Sequence, residues 1–133
     1  MSRVLIAEDN AVNRELLREL LETRGHAVVE ACNGREAIQE IEKIQPDILL
    51  LDLDMPVLDG FATVGEIRKT PKYASLPVLA VTAYAMRGDR EKVLASGFDG
   101  YLSKPIQSGL LFEELERVLT RTEAAKRAGT GKG

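Results

Sequence analysis

The sequence predicts an α/β fold in which helices cover both faces of a parallel β-sheet. Five short apolar runs alternate with five longer segments of helical period. The runs are apolar throughout, which is typical of strands buried on both faces of a parallel sheet. Strict alternation of strand and helix then predicts right-handed crossovers between consecutive strands.

The predicted strands cover residues 4–7, 27–29, 48–51, 78–81 and, as the shortest, 100–102. The helices between them show apolar residues at helical spacing, which marks the faces that pack on the sheet. We expect these faces to be core: Leu16, Leu17, Leu20 and Leu21 in the first helix, Ala37, Ile38, Ile41 and Ile44 in the second, and Leu111, Leu115, Val118 and Leu119 in the last.

Cap and turn residues lie where the helices are predicted to begin and end. Asn10, Asn33 and Asp59 precede the first three helices, and their side chains can accept hydrogen bonds from the free N–H groups there. Helix ends are marked by Gly25, Pro46 and Gly97. These signals agree with the hydrophobic pattern, so five helices are predicted.

The chain is predicted to form one domain over residues 1–121. After Thr120 the sequence loses its apolar face and ends in glycines, so residues 122–133 are predicted to be a disordered or frayed tail. Gly65 lies inside the third predicted helix, residues 61–69, where glycine costs about 1 kcal/mol relative to alanine. That helix is therefore expected to be the least stable.

Composition limits the classes of partner. A net charge of −3 shows no basic excess, so neither direct nucleic-acid binding nor a membrane partner is expected. The single cysteine, Cys32, is interpreted as a packed thiol at a strand end, and His26 as a solvated residue. No apolar run could span a bilayer or serve as a signal peptide, which predicts a cytoplasmic protein.

The ends of the predicted strands are unusually acidic. Glu8 and Asp9 follow the first strand, and Asp52 and Asp54 follow the third. Because parallel strands share one carboxyl edge, where open α/β sheets bind ligands, these carboxylates should meet. Crowded carboxylates raise one another's pKa unless a cation lies among them. Oxygen ligands without His or Cys are typical of a Mg²⁺ site.

Two further residues follow later strands, Thr82 after the fourth and Lys104 after the fifth. A hydroxyl and an ammonium facing Mg²⁺ would bind a phosphoryl group during its transfer to Asp52, which would become an aspartyl phosphate. Each residue has a plainer interpretation: Asp52 as a helix-capping loop acid, Lys104 as a surface lysine, Thr82 as a hydroxyl bonded to backbone. Their places at successive strand ends favour the chemical interpretation.

The motifs at these strand ends are Ile-Ala-Glu8-Asp9-Asn, Asp52-Leu-Asp54-Met-Pro followed by Asp59-Gly60, Val-Thr82-Ala and Ser-Lys104-Pro. In order and approximate spacing they resemble the receiver domain of bacterial response regulators, over residues 3–119. The resemblance implies a flavodoxin-like doubly wound sheet of five parallel strands in the order 2-1-3-4-5. It also implies a cis peptide between Lys104 and Pro105.

The resemblance implies a role for each site residue. Asp52 would accept a phosphoryl group from a partner's phosphohistidine, on a sensor histidine kinase or a histidine phosphotransfer protein. Thr82 and Lys104 would bind that group. The Mg²⁺ ligands would be Glu8, Asp9, Asp52 and the backbone carbonyl of Asp54.

Family behaviour further implies a switch, in which Thr82 moves toward the phosphate and Tyr101 turns inward. The plainer interpretation of Tyr101 is a tyrosine packed at a sheet edge. Asp54 and Tyr84 occupy the two positions tied to phosphate lifetime, and a bulky Tyr84 beside the path of water predicts slow to moderate self-dephosphorylation.

The chain is thus expected to be a signalling switch that catalyses its own phosphorylation and dephosphorylation. It would act as a monomer or weak dimer, by docking a downstream protein or passing phosphate along a relay. The segment Asp9-Asn10-Ala-Val-Asn13-Arg14 resembles receivers of hybrid kinases and relay components.

Two alternatives stay open. Asp52-Leu-Asp54 resembles the nucleophile and acid/base pair of haloacid-dehalogenase-like phosphatases, although Pro56 and the short chain fit that class poorly. The other alternative is a receiver-like interaction module that is not phosphorylated. Turnover of excess phosphomonoester would identify the first, and failure to bind Mg²⁺ with beryllofluoride the second.

Overall fold

The structure, a computed structural model, describes residues 2–53, 59–83 and 89–132. Over these ranges the elements alternate in the order β1 (Arg3–Ala7), α1 (Ala11–Thr23), β2 (Ala27–Ala31), α2 (Gly34–Ile44), β3 (Ile48–Asp52), α3 (Gly60–Lys69), β4 (Val78–Thr82), α4 (Asp89–Ala95), β5 (Gly100–Ser103) and α5 (Ser108–Lys132). All strands are parallel, in the order β2-β1-β3-β4-β5. The predicted doubly wound fold and its strand order are confirmed.

The sheet separates two apolar layers, because successive side chains of a strand point to opposite faces. Every residue of β3 and of β4 is buried, as uninterrupted apolar runs predict. One layer contains Leu5, Leu49, Leu51 and Ala80 with side chains of α2, α3 and α4; the other contains Val4, Ile6, Leu50 and Val81 with side chains of α1 and α5.

The predicted caps are present at three helix starts. The side chain of Asn10 accepts a hydrogen bond from Asn13 N at 3.0 Å, and Asn33 and Asp59 accept theirs at 2.8 Å from the third residue of α2 and α3. At the helix ends, Gly25 and Gly97 adopt positive φ, the conformation that favours glycine. These local signals mark where α1, α2 and α3 begin and where the chain turns back to the sheet after α1 and α4.

Helix α3 begins in close contact with the backbone that follows β3. A methyl group built on Gly60 would lie 2.7 Å from Leu53 Cα and 2.8 Å from Asp52 O, whereas one built on Gly65 would meet no atom within 4 Å. Close packing beside Asp52 therefore requires glycine at position 60, whereas the surroundings of Gly65 leave room for a larger side chain. The two glycines of one helix have different physical roles.

Arg68 joins α3 to the loops that precede β4 and β5. Its guanidinium donates to Gly97 O at 2.9 Å and Leu76 O at 2.7 Å, and it pairs with Asp99 Oδ2 at 2.9 Å. Two more carbonyls, those of Tyr73 and Ala74, accept at 3.3 and 3.2 Å. A single side chain thus satisfies several backbone acceptors at the end of the 3₁₀ turn Pro71–Tyr73 and just after it, and the sequence patterns did not predict that turn.

Three sequence interpretations are wrong. Leu16 is 45% exposed because the sheet-facing stripe of α1 is narrower than its run of leucines. Cys32 is exposed because it follows the last residue of β2, which is an edge strand with one neighbour. His26 is half-buried, not fully solvated, and its Nδ1 accepts a hydrogen bond from Ser2 N at 3.1 Å.

Helix α5 continues to Lys132 and so includes most of the segment beyond residue 121. That this segment frays stays a prediction. In the parts of the chain that the structure describes, no helix combines the length and apolarity needed to cross a bilayer.

Candidate functional site

The predicted acidic edge forms where β1 and β3 lie side by side. Ala7 pairs with Leu51, so the next residues, Glu8 and Asp52, are neighbours at the carboxyl edge. Glu8 is 1% exposed and Asp52 is 2% exposed, whereas Asp9 faces solvent. Burial of two carboxylates is costly without a compensating cation or proton.

The three carboxylates converge as the sequence predicted. Glu8, Asp9 and Asp52 each offer one oxygen, and these oxygens lie within 4.8 Å of one another. Such an arrangement of oxygen atoms suits a hard divalent cation. Asp54, predicted to contribute a backbone carbonyl, lies outside the described residues.

Lys104 faces this cluster from the turn after β5. Its Nζ lies 3.0 and 3.1 Å from the two oxygens of Glu8 and 3.1 Å from Asp52 Oδ2. The backbone N–H of Lys104 donates to Thr82 O at 2.8 Å, and the peptide to Pro105 is cis, as the resemblance implied. The ammonium is therefore fixed between two buried carboxylates that come from different strands.

The pKa values of Glu8 and Lys104 reflect the close approach of these charged groups. Burial raises the pKa of Glu8 to about 7, and the neighbouring Asp52 adds to the rise, while hydrogen bonds from Asn13 and Lys104 oppose it. Burial lowers the pKa of Lys104, but its bonds with Glu8 and Asp52 outweigh burial and the net direction is upward. The lysine therefore remains charged, and burial favours the protonated form of Glu8.

Thr82 and Tyr101 lie on the two strands beyond β3. Thr82 is the last residue of β4 and is 2% exposed. It directly follows Val81, which pairs with Asp52 on β3. Tyr101 lies on β5 opposite Ala80, is half-buried against the core, and its N–H donates to the carboxylate of Glu114 at 2.9 Å. Tyr84 lies outside the described residues.

Some contacts at this edge of the sheet were not predicted from the sequence. Asn13 Nδ2 donates to Glu8 Oε1 at 3.0 Å, and Arg14 Nη1 donates to Glu8 O at 2.9 Å. The segment containing both was noted only for its resemblance. The helical spacing after the Asn10 cap could have placed the Asn13 side chain near Glu8 and Asp9. No spacing rule, however, predicts which of these two residues it contacts.

Comparison with known proteins agrees with this geometry. The family model for the response regulator receiver domain matches residues 4–116. The polar-differentiation response regulator DivK of Brucella anthropi is 34% identical over 116 residues, which are 87% of this chain and 94% of that protein. Hybrid signal transduction histidine kinase I of Dictyostelium discoideum is 40% identical over 118 residues, 84% of this chain but only 7% of that protein.

A solved structure is also similar. The receiver domain of the sensor histidine kinase PA1611 from Pseudomonas aeruginosa, which holds a magnesium ion in its active site cleft, has a TM-score of 0.82 and 34% identity. The match covers 90% of this chain and 98% of that one.

Fold, site and similarity together define a phosphoacceptor domain of two-component signalling. This chain belongs to the response regulator receiver domain family. The phosphatase alternative is not favoured, because the family model spans the Asp52 segment and all the other strand ends.

Proposed function

We propose that Asp52 is the phosphoacceptor of this receiver domain, within a phosphorelay or two-component pathway. The observation that supports this assignment most strongly is the position of Lys104 Nζ, 3.1 Å from Asp52 Oδ2, beside the cluster that Asp52 forms with Glu8 and Asp9. An acceptor carboxylate needs cationic groups around it, because the incoming phosphoryl group brings further negative charge.

The cation that fits is Mg²⁺, held by Glu8, Asp9 and Asp52 and by the carbonyl of Asp54. The donors are all oxygens, which suits a hard ion that keeps several waters. The related PA1611 receiver, with magnesium in its cleft, supports the same assignment. When bound, Mg²⁺ supplies positive charge that neutralises the phosphoryl oxygens.

The residues of the chain then have distinct tasks. A carboxylate oxygen of Asp52 attacks phosphorus while the bond from phosphorus to the partner's imidazole nitrogen breaks and its electron pair stays on that nitrogen. The Lys104 ammonium and the Thr82 hydroxyl bind equatorial oxygens of the phosphoryl group. The acyl phosphate is lost later, when water attacks the same phosphorus, the bond from phosphorus to the Asp52 oxygen breaks with its electron pair staying on the carboxylate, and inorganic phosphate leaves.

The switch and the lifetime of the phosphate are further parts of the proposal. Thr82 moves toward the phosphoryl group and Tyr101 turns inward, which changes the surface around β5. Asp54 and Tyr84 tune hydrolysis, with Tyr84 obstructing water. If partner binding by a Tyr101→Ala variant stayed as sensitive to phosphorylation as in the wild type, the role of Tyr101 would be abandoned.

The partners follow from the chemistry. A sensor histidine kinase or histidine phosphotransfer protein donates phosphate, and a downstream protein or a second histidine receives the signal, in the cytoplasm. The kinase relative and the response regulator relative both support such a pathway. The chain acts as a switch that catalyses its own phosphorylation and dephosphorylation.

One titration tests the assignment against both alternatives. We expect Mg²⁺ with beryllofluoride, a mimic of the acyl phosphate, to shift the backbone amide resonances of Thr82 and Lys104 in the wild type. The Asp52→Asn variant should show no such shift. Absence of a shift in the wild type would favour an unphosphorylated module, and continued hydrolysis of excess phosphomonoester would favour a phosphatase.

A further inference from the structure

The first turn of α1 reaches back to the acidic pair that precedes it. Asn13 Nδ2 lies 3.0 Å from Glu8 Oε1, and Arg14 Nη1 lies 2.9 Å from Glu8 O and 3.4 Å from Asp9 O. The backbone of Asn13 is itself fixed, because its N–H donates to the Asn10 cap at 3.0 Å. One helical turn therefore holds both the side chain and the backbone of the Glu8 segment.

The two donors to the Glu8 carboxylate differ in charge. Lys104 is cationic and contacts Asp52 as well as Glu8, so it is shared between two carboxylates. Asn13 is a neutral donor, and its side-chain amide contacts Glu8 Oε1 at 3.0 Å. A neutral amide orients a carboxylate without competing with a metal ion for its charge, which is how outer partners orient metal ligands.

We propose that Asn13 is a positioning residue, which holds the Glu8 carboxylate in the orientation that binds Mg²⁺. This inference rests on the proposed function, since it concerns the metal of that site. Glu8 is 1% exposed, so its side chain has no water shell to orient it and depends on protein donors. Loss of such an outer partner typically lowers metal affinity by about 10- to 100-fold.

The test compares two alanine variants of the same helical turn by isothermal titration calorimetry with MgCl₂. Asn13→Ala removes the amide but keeps the backbone N–H on the Asn10 cap. Val12→Ala is the matched control, because Val12 is 73% exposed on the same turn. We expect Asn13→Ala to bind Mg²⁺ about tenfold more weakly and Val12→Ala to stay within about twofold of the wild type.

A second measurement separates positioning from a purely structural role. With acetyl phosphate as donor, Asn13→Ala should need about tenfold more Mg²⁺ for half-maximal phosphorylation, yet reach the wild-type rate at saturating Mg²⁺. Affinity within about twofold of the wild type, or equal weakening in both variants, would overturn the inference. A wild type that binds no Mg²⁺ would instead overturn the proposed function.

Discussion

Lys104 Nζ lies 3.1 Å from Oδ2 of Asp52, although the two residues are 52 positions apart in the sequence. The same nitrogen contacts both oxygens of Glu8, so one ammonium serves two buried carboxylates. Parallel strands make this possible, because β3 and β5 end at the same edge of the sheet on either side of β4. The contact brings together the proposed phosphoacceptor and a cationic group of the kind that phosphoryl transfer requires.

The stability of the metal-free domain should depend on the protonation of Glu8. Its pKa rises from 4.5 to about 7 on folding, so the folded state binds the proton more tightly. Stability from this group is therefore full below pH 4.5 and is lost as the pH rises through about 7. At about 1.4 kcal/mol per pKa unit, the loss is on the order of 3 kcal/mol.

Urea unfolding in EDTA between pH 5 and 8 checks this dependence. Glu8→Gln, which resembles the protonated form, should be more stable than the wild type at pH 8 and should show a flatter pH curve. The exposed Glu42 on α2 offers a matched control in Glu42→Gln, which should follow the wild-type curve. If stability depended on pH equally in Glu8→Gln and in the wild type, the pH dependence would not come from the protonation of Glu8.

The two glycines of α3 should respond oppositely to alanine. Gly60→Ala would push a methyl group to 2.7 Å from the backbone of Leu53, so we expect a loss of stability. Such overpacking costs about 1–3 kcal/mol. Gly65→Ala meets no atom within 4 Å and should stabilise the domain, by up to about 1 kcal/mol from helix propensity. Chemical denaturation measures both, and changes of the same sign would contradict the packing described for Gly60.

Arg68 should contribute more to stability than an exposed arginine. Arg68→Lys loses the planar group that reaches Gly97, Leu76 and Asp99, and we expect a destabilisation of about 1–3 kcal/mol. The control is Arg35→Lys, because Arg35 pairs with Glu66 where the side chains are 52% and 42% exposed. That variant should change the free energy of unfolding by less than about 0.5 kcal/mol. If urea unfolding showed the same loss of free energy of unfolding for Arg68→Lys and Arg35→Lys, the contacts of Arg68 would stabilise the domain no more than an exposed ion pair does.

The parallel sheet and the meeting of Glu8, Asp9, Asp52 and Lys104 could be expected from the sequence for a physical reason, whereas the order of the strands came from the resemblance to a family. Alternating strands and helices force parallel pairing, and parallel pairing brings all strand ends to one edge. Residues directly after apolar runs are therefore neighbours whatever their separation along the chain. The roles assigned to individual residues came from the resemblance to a family.

Other features depend on packing that periodicity does not encode. A run of leucines predicts an apolar stripe but not its width, which is why Leu16 was wrongly assigned to the core. Cys32 was misplaced because the pattern does not say which strand lies at the sheet edge. The contact between Asn13 and Glu8 depends on the angle at which α1 leaves β1, and the partners of Arg68 lie in loops without a repeating pattern.

Intact-mass spectrometry after incubation with Mg²⁺ and acetyl phosphate tests the central claim most directly. The wild type should gain the mass of one phosphoryl group, and peptide mapping should place it on Asp52. Asp52→Asn should gain none, and the wild type in EDTA should gain little. An unchanged wild-type mass, or equal labelling of Asp52→Asn, would contradict the assignment of Asp52 as the phosphoacceptor.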